Sequence, residues 1–102
     1  MNRKILIADS RRRIKEELCD KMLEISGFDP RELTRRRPVV MARVIVCYVL
    51  TSRHRFTEDE VAILFGIDHA TVNHYKKRME DIFLLPGYEA EDELWDKFKA
   101  IL

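Results

Sequence analysis

Two histidines, an asparagine and three consecutive cations fall within the segment Asp68-His69-Ala70-Thr71-Val72-Asn73-His74-Tyr75-Lys76-Lys77-Arg78. Histidine can ligate a metal or move a proton, and cations can hold an anion. The spacing narrows the choice. His69 and His74 stand five positions apart, so on a helix they do not share a face. No HExxH arrangement or cysteine pair accompanies them, so a metal site is not expected. Asp68 and His69 are adjacent and cannot orient one another as a helical dyad. No nucleophile–base set, glycine-rich phosphate loop or carboxylate pair in an apolar setting can be assembled. Catalysis and a resident cofactor are therefore not expected.

What remains is a run of small and hydrogen-bonding groups followed by cations. That order suits duplex DNA. A helix entering the major groove brings its N-terminal residues to the base edges. Asn73 can pair bidentately with adenine, and the methyl groups of Ala70 or Thr71 can touch a thymine methyl. Cations further along meet phosphates, which add affinity without sequence information. On a helical wheel Val72, Tyr75, Met79, Ile82 and Phe83 face one way. Ala70, Asn73, His74 and Lys77 face the other, flanked by Thr71 and Arg78 on one edge and His69 and Lys76 on the other. The bland alternative is a solvated charged face.

Local signals place this helix. Thr57-Glu58-Asp59-Glu60 fits a capping box, with Thr57 as N-cap and Glu60 reaching back. It opens a short helix that turns Val61, Leu64 and Phe65 inward and stops at Gly66, which suits a left-handed C-terminal turn. Asp68 is the expected N-cap of the next helix. The pair reads as a helix-turn-helix unit over about residues 57–83, ended by Pro86-Gly87. Upstream, Ile14, Leu18, Met22 and Ile25 form the stripe of a helix from about Ser10 to Ser26, capped by Ser10 or Asp9 and ended by Gly27. Phe28-Asp29-Pro30-Arg31-Glu32-Leu33-Thr34 is a turn or a short helix. Pro38–Leu50 is rich in β-branched residues but too long for a typical strand, and is read as a buried central helix. A last, acidic helix spans about residues 89–101 through Leu94, Trp95, Phe98 and Ile101. The expected fold is all-α, one domain of about five helices over residues 1–102.

Just before the central helix stand Arg35, Arg36 and Arg37, with Arg43 one to two turns inside it. Three arginines in a loop rarely serve a core. They suit an arm that tracks phosphates or enters a narrow minor groove, where negative potential attracts Arg.

Composition agrees. The net charge of +1 hides an asymmetry: residues 1–56 hold fourteen Lys/Arg against seven Asp/Glu, and residues 57–102 five against eleven. A basic surface facing a polyanion, or a basic helix paired with an acidic one, would give that pattern. The longest apolar run, Val44–Leu50, is far too short for a membrane span. The run Ile5–Ala8 is too short for a secretory signal. Cys19 and Cys47 could form one bridge. Their helix-like apolar settings favour buried, reduced thiols in a cytoplasmic protein; DNA binding would make it nucleoid-associated.

The segments TRRRPVVMARVIVCYVL, FTEDEVAILFG and DHATVNHYKKRME together resemble the C-terminal DNA-binding domain of DnaA, the bacterial replication initiator. The shared core is Phe65-Gly66 followed by Asp68-His69-x-Thr71-Val72-x-His74. The resemblance implies a DnaA C-terminal-like, Trp-repressor-like fold that binds double-stranded DNA in replication initiation or transcription regulation. It assigns Asp68, His69, Thr71 and His74 to the major groove and Arg35 to the minor groove. Arg43, Lys77 and Arg78 become further DNA contacts. Three departures stand out. Ala70 replaces a hydroxyl residue, the turn before Asp68 is one residue shorter and lacks a cation, and Glu89–Asp96 is acidic. The family's P-loop and ATPase module is not in this sequence, so a small DNA-binding regulator, a prophage-type or mobile-element protein, or a fragment is expected. The alternative function is a protein-interaction module that docks a partner or a second copy through its C-terminal helix.

Overall fold

A helix that carries apolar residues on every side must be surrounded, and Pro38–Leu50 is. In the computed structural model, which describes residues 7–102, it belongs to α2, Arg37–Ser52. Val39, Met41, Ala42, Val44, Ile45, Val46, Cys47, Val49 and Leu50 are all buried. Complete burial is the physical reason a β-branched sequence forms a helix here: packing overrides propensity. Residues 5 and 6 of the apolar run read near the N-terminus lie outside the described residues.

Around α2 pack α1 (Asp9–Ser26), α3 (Glu58–Phe65), α4 (His69–Leu84) and α5 (Glu89–Ala100). Among the described residues the fold is all-α, with five helices and no strand. α2 touches α1, α3 and α4; α3 pairs with α4; α5 rests on α1 and α4. No helix is long and apolar enough to cross a membrane among the described residues.

Helix ends follow local chemistry. Thr57 Oγ1 accepts from the Glu60 amide at 3.1 Å, and Glu60 Oε1 accepts from the Thr57 amide at 2.9 Å. Phe56 and Val61, on either side of this cap, are both buried. Gly66 closes α3 at φ 67°, with Ile67 donating to Ala62 O and Gly66 to Ile63 O. That pair of bonds needs a left-handed residue, which glycine supplies without strain. Gly27 ends α1 in the same conformation.

Three expectations need correction. Neither Ser10 nor Asp9 caps α1: the helix begins one residue earlier, Ala8 is its N-cap without a side-chain bond, and Asp9 sits in the first turn. There its charge still suits the helix dipole. Phe83 does not face inward but is 44% exposed, because its neighbour Ile82 takes the inner position. Its ring instead meets Tyr48 and Trp95 edge-on, at 5.4 and 5.8 Å between centroids. Ile101 is exposed, since α5 ends at Ala100. Residues 28–36 take the turn, one of the two forms expected for Phe28–Thr34.

One polar group lies inside the apolar core. Arg43, 4% exposed, donates from Nε to Pro30 O at 2.9 Å, from Nη2 to Glu32 O, and from Nη1 to the Tyr75 hydroxyl at 3.0 Å. The planar fork of guanidinium lets one side chain satisfy two loop carbonyls and one α4 hydroxyl. It joins the loop before α2 to the inner side of α4.

Two predictions follow from this core. Arg43→Met keeps the apolar stem but orphans the carbonyls, so unfolding in urea should show a loss of about 2–4 kcal/mol. Proteolysis should then begin within residues 30–37; first cleavage elsewhere contradicts the tether. Cys19 and Cys47 are free and buried, and burial pushes the Cys19 thiol up to about 12 and the Cys47 thiol up as well. Neither should react with a thiol reagent at neutral pH until the protein unfolds; fast native labelling of either would contradict this packing.

Candidate nucleic-acid interface

α4 is set by its N-cap. Asp68 Oδ1 accepts from the Thr71 amide at 2.7 Å. Hydrogen bonding from Thr71 holds the Asp68 carboxyl below its ordinary value. That oxygen is committed to the helix end, and Thr71 is half-buried beside it. From this start Val72, Tyr75, Met79 and Ile82 turn into the core.

The outer side of α4 divides into two stripes. The first, His69-Asn73-Lys76, faces carboxylates at the start of α3. Lys76 Nζ donates to Glu58 Oε1 at 2.8 Å. His69 Nε2 lies 2.5 Å from Glu58 Oε2, and its Nδ1 lies 3.0 Å from Asp59 Oδ1. With the Asn73 amide turned so that its nitrogen faces Glu58, it donates to Oε2 at 2.6 Å. Lys76 first, and then His69, hold the Glu58 carboxyl below its ordinary value. Both ring nitrogens of His69 thus lie against α3 carboxylates, while the side chain stays exposed.

The second stripe is Ala70-His74-Lys77-Arg78, and all four are exposed. Among the described residues neither Lys77 nor Arg78 has an ion-pair partner. Asn73 belongs to the first stripe and is itself exposed.

The basic turn is anchored from both sides. Arg31 bonds Asp29 at 2.7 Å, Glu16 at 2.6 Å and Asp20 at 2.9 Å, tying the turn to α1. Arg43 ties it to α4 from beneath. Burial pulls the Asp29 carboxyl up, but the bonds and charge of Arg31 outweigh it and leave the group below its ordinary value of 3.8. Lys15 and then Arg31 lower Glu16 from 4.5. Arg35 and Arg36 are exposed. Arg36 lies over the Phe28 ring at 6.0 Å, and the Thr34 hydroxyl accepts its amide at 3.2 Å. Leu33, beside them, is 71% exposed.

Two arginines depart from the expected set. Arg43 is buried and structural, so it does not reach an external ligand; at that depth the loop carbonyls use its donors. Arg37 remains exposed but bonds Glu91 on α5 at 3.2 Å, which turns it toward the acidic helix. The acidic start of α5 therefore meets the end of the basic turn. No α5 carboxylate pairs with an α4 cation among the described residues.

The sequence reading missed Glu58 and Asp59 as partners of α4. The available signal was their place in the first turn of α3, next to a glycine-closed turn that folds α4 back alongside. Among the described residues no group of three or more His, Cys, Asp or Glu side chains is placed to hold a metal ion. Compared with models of known families, with curated proteins and with solved structures, the chain has no match. The resemblance to the DnaA domain rests on its motif residues alone.

The Arg31 cluster predicts a pH dependence. The Glu16 and Asp29 carboxyls are lowered on folding, so their stabilisation is complete above their ordinary values and is lost as pH falls through the folded ones. Arg31→Gln should cost roughly 1 kcal/mol at pH 7, discounted for the solvent exposure of its partners. The deficit should shrink below about pH 4. An equal deficit at pH 3 and pH 7 in denaturant titrations would contradict the ion-pair account.

Proposed function

We propose that this protein binds double-stranded DNA through a helix-turn-helix formed by α3 and α4. Ala70, His74, Lys77 and Arg78 enter or flank the major groove, Asn73 offers its oxygen to a base, and Asp68 and Thr71 fix the helix start. Arg35 and Arg36 bind backbone or minor groove. The observation that carries this is the unpaired stripe on α4, in a molecule whose other α4 cation, Lys76, already has a carboxylate. Exposed cations without internal partners are available for phosphates. The anchored turn adds to it: Arg43 fixes the loop to α4, so loop and helix present their cations as one rigid element. Rigid presentation lowers the ordering cost of binding. The motif resemblance supports the same function and suggests replication initiation or transcription control as its setting.

A protein-docking role is favoured by a different observation. Leu84, 80% exposed, and Leu85, 52% exposed, lie next to each other at the α4–α5 turn. A groove of about 450 Å³ between α1, α2 and α5 is lined by Phe28, Met41 and Leu94, with Arg37 and Glu91 at its edge.

A fluorescence titration with random-sequence duplex tests the DNA proposal. With phosphates neutralised by Arg35, Arg36, Lys77 and Arg78, log affinity should fall against log salt with a slope of roughly −3 to −4. Lys77→Ala should weaken all sequences similarly and flatten the slope by about 1. Asn73→Ala should change base preference, by about 1–3 kcal/mol at one position. A flat salt response, or no binding at low salt, overturns the proposal and leaves the docking role ahead.

A further inference from the structure

The second stripe of α4 is open because the first is occupied, and Glu58 occupies it. Its two oxygens face three groups that stand at i, i+4 and i+7 on one side of α4: His69 Nε2, the Asn73 amide and the Lys76 ammonium. Asp59 takes the remaining His69 nitrogen. A carboxylate with these partners does for His69, Asn73 and Lys76 what a phosphate oxygen would do. Glu58 is also the first residue of α3, where the positive end of the helix dipole favours a negative charge. Its position is thus over-determined.

We infer that Glu58 is a specificity-determining residue of the DNA interface, an internal anion that withholds His69, Asn73 and Lys76 from phosphate and confines the duplex to the Ala70-His74-Lys77-Arg78 stripe. This rests on the proposed DNA binding. A phosphate approaching along the first stripe meets two carboxylates and finds its cation already neutralised. One approaching along the second meets Lys77 and Arg78 with nothing to displace. Glu58 therefore sets the angle at which α4 lies on its ligand and suppresses sequence-independent attachment. Asn73 is held by its nitrogen, which leaves its oxygen as the only end of the amide that a base could use.

Charge removal without shape change provides the test. Glu58→Gln, Lys76→Gln, Lys77→Gln and the Glu58→Gln/Lys76→Gln double variant are titrated with one random-sequence duplex over a range of salt. Thermal melting verifies the fold of each. Glu58→Gln should bind about 3- to 30-fold tighter than wild type at 0.1 M salt, with a slope steeper by about 1, the effect of one freed cation. Lys76→Gln alone should stay within about twofold of wild type, because its charge is already cancelled. The double variant should lose the gain, and Lys77→Gln should weaken binding. If wild type binds but Glu58→Gln binds no tighter, or Lys76→Gln weakens as much as Lys77→Gln, the inference is overturned while DNA binding stands. If neither wild type nor Glu58→Gln binds at low salt, both are overturned.

Discussion

The architecture depends on one buried cation. Arg43 is the only charged side chain of α2 within the core layer, and it has no carboxylate partner there. A charge in that position is tolerable only when its donors are used. Pro30 O, Glu32 O and the Tyr75 hydroxyl use three of them. In return the guanidinium fixes a turn that has no helical hydrogen bonds of its own. The turn acquires its shape from α2 below and from its own Arg31, which pairs with Glu16 and Asp20 of α1 at its side. Without that tether Arg35 and Arg36 would sit on a mobile connection, and the ordering cost of any contact they make would rise.

The same economy of charge organises α4. Its cations are not one continuous surface. Lys76 belongs to α3 through Glu58, and Lys77 and Arg78 have no ion-pair partner among the described residues. Neighbouring residues on a helix are about 100° apart, so adjacent lysines face different surroundings. The near-neutral net charge and the opposed halves of the chain reflect internal pairing in part: Arg37 with Glu91 and Arg11 with Glu60 both cross from the basic to the acidic half, and Lys76 with Glu58 pairs within the acidic half. Pairing between basic and acidic elements thus accounts for part of the charge asymmetry. Some basic groups serve the fold, and others, Lys77 and Arg78 among them, stay outward.

The legible part of the sequence was local. Thr57 and Glu60 are three residues apart, Gly66 and Gly27 act on the turn they occupy, and Asp68 caps within its own first turn. Each of those interactions is encoded within a few positions, and all five helices were readable from them and from apolar spacing. The α2 helix was readable because its apolar residues cover every side, which a half-buried strand does not do. What could not be read were pairings across the chain. Arg43 and Tyr75 are thirty-two positions apart, and Glu58 and Lys76 eighteen. Nothing in local spacing says that an arginine near three others will turn inward, or that a carboxylate in a capping segment will cover the neighbouring helix. The orientation of Phe83 failed for a related reason: at a helix end the choice between Ile82 and Phe83 is made by the aromatic rings of Tyr48 and Trp95.

The central claim is that one side of α4 and the turn before α2 form a single nucleic-acid-binding face. Amide chemical-shift mapping during titration with a short duplex tests it most directly. The account predicts the largest shifts at residues 70–78 and 33–36, with Leu84, Leu85 and the outer side of α5 unmoved. Shifts confined to the α4–α5 turn and α5, or none across the titration, would contradict it.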